Sequence, residues 1–266
     1  MMKASVRGML CVVAILALTL PAAAEMTKTA TVDVGDLAAP RQSTLYDQTA
    51  NPSGNLSSTQ DFVDPAFDAY DAEGADDFEV TWADGWNVEQ VAVVAGYWAG
   101  TGPAESVHVT IYADGGTEPG AVVCSYPNNT YVDDGGGIFT MTFATPCYLP
   151  MGTYWVNVQG RTEYATGGQY GWGTEAVQTG AEGVWRNPGD GFGSGNTTWT
   201  PRSVAGYAEP DYSFRILGEE AAPGDTPTPP PGGGGGEPIP TMNAYGIFAM
   251  VALLLGIAVL VIIRRR

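Results

Sequence analysis

The chain has 266 residues, 44% of them apolar and 15% charged, and its 29 acidic side chains outnumber 11 basic ones for a net charge of −18. Nucleic acid is bound by clustered Lys and Arg, so this balance excludes a DNA or RNA partner. The length allows one or two compact domains.

Lys3 and Arg7 form a positive n-region, Met9 to Leu20 an apolar run, and Ala22-Ala23-Ala24 an A-x-A cleavage site. Residues 1–24 therefore read as a signal peptide, with the mature chain beginning near Glu25. Cys11 leaves with it. Between Glu25 and Pro238 six bases face all 29 acids, a net −23 that repels anionic lipid as well as DNA.

Residues 25–74 are rich in Thr, Ser, Asn, Ala and Pro and show little periodic apolar content before Phe62. They are expected to form a loose N-terminal arm, with one edge strand near Thr29 to Val34. At its end Asp71, Glu73, Asp76 and Asp77 fall within seven residues beside Gly74, and Asp133-Asp134 precedes Gly135 further on. Hard oxygen donors on turns are what Ca2+ requires, so the first four are the candidate calcium ligands, although their spacing is not that of an EF-hand loop.

Residues 75–218 change character. Short β-prone runs appear at Asp77 to Trp82, Val88 to Trp98, Ser106 to Tyr112, Ala121 to Tyr126, Gly137 to Phe143, Gly152 to Gln159, Gln169 to Thr174 and Tyr212 to Leu217. Val107, Val109 and Ile111 alternate with His108, Thr110 and Tyr112, and Tyr154, Val156 and Val158 with Trp155, Asn157 and Gln159, the period of a strand with one dry face. The turns Ala83-Asp-Gly85, Asp114-Gly-Gly116, Asp133-Asp-Gly-Gly-Gly137 and Pro150-Met-Gly152 supply the positive φ that hairpins demand. No stretch sustains a 3.6-residue period. These features predict an all-β fold, a single antiparallel β-sandwich of jelly-roll or immunoglobulin-like type.

Three residue groups in this region bear on chemistry. Cys124 and Cys147 survive processing and flank strand-like runs, so a disulfide is expected, closing a separation of 23 residues and contributing about 3 kcal/mol through the unfolded state. His108 is the only imidazole, and no Gly-x-Ser-x-Gly elbow accompanies it, so the sequence offers no Ser/His/Asp triad and predicts no enzyme. Trp98, Tyr170, Trp172, Trp185 and Trp199 crowd near glycine-rich turns. Sandwich interiors need large side chains, which makes core or lid the simpler reading; the alternative is a stacking platform for a polysaccharide.

Residues 219–238 collapse into Pro-Thr-Pro-Pro-Pro and five glycines, a linker that buries nothing. Tyr245 to Ile263 is then a run of 19 uncharged residues, about 28 Å as a helix and enough to cross a bilayer. Arg264, Arg265 and Arg266 mark the cytoplasmic end, leaving everything before the span outside.

Ile239, Pro240, Thr241 and Met242, followed by Tyr245 and Gly246, the apolar run and the basic end, resemble the IPTL-CTERM sorting segment of Gram-negative bacteria. Met242 stands where Leu is usual and Tyr245 where Trp is usual. The resemblance covers residues 239–266 and implies recognition by an exosortase-type membrane transpeptidase that cuts near the Ile-Pro-Thr motif. The sandwich is also similar to a domain of bacterial exported surface proteins, through Ala75-Asp-Asp-Phe78, Leu149-Pro-Met-Gly-Thr-Tyr-Trp155, Tyr170-Gly-Trp-Gly173 and Trp185-Arg-Asn-Pro-Gly-Asp-Gly-Phe192. That likeness implies fold and location only. The expectation is a non-enzymatic, membrane-anchored protein of the cell surface.

Overall fold

A computed structural model of the chain describes residues 27–29 and 43–224. The first eight strands, in chain order, are β1 (Thr27–Thr29), β2 (Ser43–Gln48), β3 (Pro52–Ser58), β4 (Gln60–Phe62), β5 (Glu73–Val80), β6 (Trp86–Trp98), β7 (Ser106–Asp114) and β8 (Pro119–Asn129). They continue as β9 (Tyr131–Asp133), β10 (Ile138–Leu149), β11 (Gly152–Thr162), β12 (Gln169–Glu175), β13 (Val184–Arg186), β14 (Thr200–Pro201), β15 (Asp211–Tyr212) and β16 (Phe214–Glu220). Between them lie a 3-10 helix (Pro65–Tyr70) and two one-turn helices, α1 (Tyr164–Gly167) and α2 (Arg202–Ala205).

The strands form two sheets. In the first, β1, β3, β12, β6, β10 and β9 lie side by side; β16 follows β12 along the same edge of β6 and carries β2, and β15 joins β12. The second runs β14, β13, β5, β11, β7, β8, with β4 added to β11 as the parallel pair. The class is all-β, two mostly antiparallel sheets face to face.

Alternation decides which side of each strand is dry. On β7, Val107, Val109 and Ile111 are fully buried while His108, Thr110 and Tyr112 are half-buried. They meet Val156 and Val158 of β11, Phe78 and Val80 of β5, and Val91 and Val93 of β6 in the main core. Gly160 marks a close approach of the sheets: a Cβ there would sit 2.2 Å from the Tyr170 ring, so no larger residue fits.

Strand β11 departs from the expected pattern, because its outer face is dry at Trp155 and Asn157 as well. Trp155, on that face, is wholly buried with Ala75 and Val184, under Ala181, Tyr112 and Trp199. The long connections around β13 and β14 make this cover.

Strand β10 carries a large bulge. Thr142 pairs with Gln90 but Cys147 already pairs with Val88, so the residues between them swing out of the sheet. They reach β8, where Phe143 stacks on Tyr126 at 3.9 Å and Thr145 O accepts from the Tyr126 hydroxyl at 2.9 Å. A disulfide joins Cys124 of β8 to Cys147 of β10, one cysteine in each sheet. The bulge and the bond close the sandwich along this edge.

Several expectations need correcting. Residues 43–74 are no loose arm: β2 pairs with β16, β3 with β12 and β4 with β11. Their few apolar residues are enough, since Leu56 and Phe62 are buried and Ser57, Ser58, Thr59 and Gln60 are buried with them. Strand β1 pairs with β3, while residues 30–34 lie outside the described residues. Of the four turns expected as hairpins, two are: Asp114-Gly-Gly116 joins β7 to β8 and Asp133 to Gly137 joins β9 to β10. Those at Ala83 to Gly85 and Pro150 to Gly152 instead carry the chain between sheets.

Ser43 pairs with Gly218, which sets the start of β2 beside the end of β16. Strand β16 extends to Glu220, two residues into the expected linker. Among the described residues no helix is long and apolar enough to cross a membrane. The signal peptide, the Ile239 to Gly246 motif, the span 245–263 and the terminal arginines lie outside the described residues.

Candidate functional site

The aromatic platform is overturned as a set. Trp98, Tyr170, Trp172 and Trp185 are 0–4% exposed, and of the five only Trp199 is half-buried. The reason is strand phase: Tyr170 and Trp172 lie two apart on β12 and both point into the main core. Trp172 stacks on Tyr212 and donates its Nε1–H to Ser213 O at 2.9 Å, and Trp185 donates to Ser58 O at 2.9 Å, so their polar atoms serve the fold as well. Trp199 offers one ring face to the Arg186 guanidinium, 4.0 Å away, and Arg186 is held in a bidentate pair by Glu73.

The calcium set also comes apart. Among the described residues no group of three His, Cys, Asp or Glu side chains is placed to share a metal ion. Asp76 and Asp77 are neighbours on a strand and point to opposite faces. Glu73 is spent on Arg186, and Asp71 accepts the Phe62 N–H at 2.8 Å. Burial is the main cause that pushes the Asp71 carboxyl up to about 7, the charges of Asp61 and Asp68 adding to it.

His108 is built into the surface of the second sheet. Its Nδ1 accepts the Asn128 N–H at 2.9 Å, which leaves the proton on Nε2, 3.0 Å from Asp61 Oδ2. Arg161 Nη1 donates to the same carboxylate oxygen. Burial raises the Asp61 pKa, but the hydrogen bonds from His108 and Arg161 outweigh it and hold it below the usual range. Both ring nitrogens are thus committed, and the histidine braces the β7–β8 bulge where Val107 pairs with Asn129 and Val109 with Tyr126.

The most perturbed electrostatics lie where β5, β15 and α2 meet. Asp76 is fully buried and accepts from Tyr212 N at 2.7 Å and Gln48 Nε2 at 2.8 Å. Desolvation drives its pKa well up, and the charge of Asp211 drives it further. Asp211 accepts from Thr179 N at 2.5 Å and Gly183 N at 3.2 Å, and burial still raises it to about 6. Asp77 accepts from Ala181 N at 2.9 Å and is likewise raised by burial. The cation of the neighbourhood is Arg202, wholly buried, its guanidinium carbon 4.5 Å from the Tyr207 ring centre and 4.3 Å from that of Tyr212. Strongly shifted groups of this kind mark functional sites more often than chance. Sequence reasoning missed Arg202, Asp211 and Gln48, since no short-range spacing ties residues from strands so far apart.

Where β2 begins and β16 ends, a cleft of about 350 Å3 is lined by Thr44, Leu45, Thr81, Trp86, Glu219 and Glu220. Trp86 belongs to the main core and is 3% exposed, while both glutamates are exposed. Comparison of the chain with protein-family models, curated proteins and solved structures finds no match.

Proposed function

We propose that this chain is a non-enzymatic exported protein of the cell envelope with a structural or adhesive role. A signal peptide starts it across the membrane, the span 245–263 holds it, and an exosortase-type transpeptidase processes it at Ile239-Pro240-Thr241. The observation that carries this reading is order: signal, acidic body, Pro/Gly linker, motif, apolar run and three arginines follow one another in the sequence an exported anchored protein needs. The finer fold we assign is a jelly-roll or immunoglobulin-like sandwich. Support for export comes from the disulfide between the sheets, a bond rarely kept in reducing compartments. Commitment of both nitrogens of His108 to Asp61 and Asn128 supports the non-enzymatic part.

Replacing Pro240 and Thr241 by alanine tests the sorting motif. In a host that carries the processing enzyme, fractionation with an antibody to the body is expected to find the variant unprocessed and membrane-bound. Normal maturation of that variant sinks the sorting reading and leaves a plain single-pass anchor.

One observation favours a second reading, a module for exopolysaccharide or surface glycan. The end cleft is lined by the hydroxyls of Ser43, Thr44 and Thr81 and the carboxylates of Glu219 and Glu220, polar groups that suit a sugar. A glycan array tests it, with Glu219→Ala and Glu220→Ala as the variants expected to lose any signal.

A further inference from the structure

We propose that Asp77 and Asp211 form a carboxylate clasp that holds segment 176–183 closed against the body and lets it open as the pH of the medium rises. The segment joins β12 to β13, and its residues 176–180 are exposed. Its hold on the body is mainly polar. Ala181 N–H donates to Asp77, Thr179 N–H to Asp211, and Gly183 N–H is shared between Asp211 and Pro210 O. At its two ends Ala176 N–H donates to Asn51 O and Glu182 accepts from the Ser203 hydroxyl. Gly180, at φ +75°, brings the backbone so near Asp77 that a Cβ would sit 2.6 Å from its carboxylate. Ala181 is the part that covers Trp155, with Ala75 and Val184.

The charges facing this clasp are unbalanced. From β5 comes Asp76, from β7 Asp114, from β2 the neutral Tyr46 and Gln48, from β15 Tyr212, and from α2 the cation Arg202, itself 4.0 Å from the Glu209 carboxylate. Burial disfavours the charge on each of Asp76, Asp77 and Asp211, and the charge of Asp211 weighs on Asp76 while that of Asp77 weighs on Asp211, so ionising all three is costly. Lifting the segment removes the Thr179, Gly183 and Ala181 N–H donors, which favour the ionised carboxylates, but it also admits water to Asp77 and Asp211, and burial is the larger effect on both, so on balance they return toward ordinary carboxylates. The closed form binds protons more tightly than the open one, so by linkage acid favours closure and a rise in pH through about 6, where burial places Asp211, favours opening. The opened segment takes Ala181 off Trp155, whose remaining cover, Ala75, Val184, Tyr112 and Trp199, stays with the body, so the device would loosen one side of an apolar patch according to the acidity outside.

Hydrogen exchange of the full chain in mild detergent, read by mass spectrometry and corrected for the intrinsic rate at each pH, tests this. Protection of the Thr179 and Ala181 amides is expected to fall at least about tenfold between pH 6 and pH 8, the change one released proton gives per unit. Amides of β7 and β11 are expected to keep theirs, which separates local opening from global unfolding. In Asp211→Asn and Asp77→Asn the protection of the segment is expected to lose most of its pH dependence. Constant protection of Thr179 and Ala181 in the wild-type chain overturns the proposal, and so does an undiminished slope in both variants. Should a variant fail to fold, the wild-type titration decides alone.

Discussion

Cys124 on β8 and Cys147 on β10 bring the Cα atoms of opposite sheets to 6.2 Å, and they do so at the one place where β10 leaves its own sheet. The bond thus fastens the bulge rather than a hairpin. Non-reduced peptide mapping of exported protein should yield the linked pair, and Cys124→Ser with Cys147→Ser should cost about 3 kcal/mol in urea unfolding. Two free thiols in exported material would contradict the pairing.

The buried tryptophans should behave as core. Trp172→Ala and Trp185→Ala are each expected to lose about 3–5 kcal/mol, the usual cost of emptying a large aromatic site. Trp199→Ala, at a half-buried position, should cost clearly less. Equal, small losses at all three would return Trp172 and Trp185 to the surface.

Asp76 should be a liability at alkaline pH. Its raised pKa means the folded state pays for ionising it, so Asp76→Asn, which keeps an acceptor and removes the charge, should stabilise the protein at pH 8. At pH 4, where the native carboxyl is already neutral, the gain should vanish. Thermal unfolding of both forms at the two pH values decides it; destabilisation at pH 8 would mean that the charge itself is needed.

Whole-chain stability should follow the same sign. Asp71 near 7, Asp211 near 6, and Asp76, Asp77 and Glu175, all raised by burial, make the native state hold more protons than the unfolded chain. Stability should therefore rise as pH falls from 8 to 5, by at least about 1.4 kcal/mol, the worth of one pKa unit. Asp61 is lowered, so its contribution is lost only further down, below the ordinary Asp range. Denaturant midpoints that fall over this window would show that other groups dominate.

The anchor can be probed apart from the motif. Leu254→Asp, near the centre of the expected span, should weaken insertion by about 3 kcal/mol and release unprocessed protein to the soluble fraction. Retention in the membrane would place the anchor elsewhere.

Much of the sandwich was legible because one-sided strands write their burial into alternation, as Val107, Val109 and Ile111 do. Strands such as β3 and β4 were not, because Ser57, Ser58, Thr59 and Gln60 are buried as polar residues and carry no apolar period. Trp155 failed for the opposite reason: alternation assigns it to solvent, and only a distant connection dries it. The acidic cluster was visible as composition, but Asp77 meets Asp211 across a separation that no local spacing encodes.

Because β16 runs to Glu220, into the expected linker, tension applied there would pull the strand lengthwise. That strand is gripped by β6 from Phe214 to Glu220 and by β2 from Phe214 to Gly218. A load applied at the far end of the body strains these hydrogen bonds together in shear instead of parting them one after another. Such a body would resist force along β16 best when something holds its opposite end.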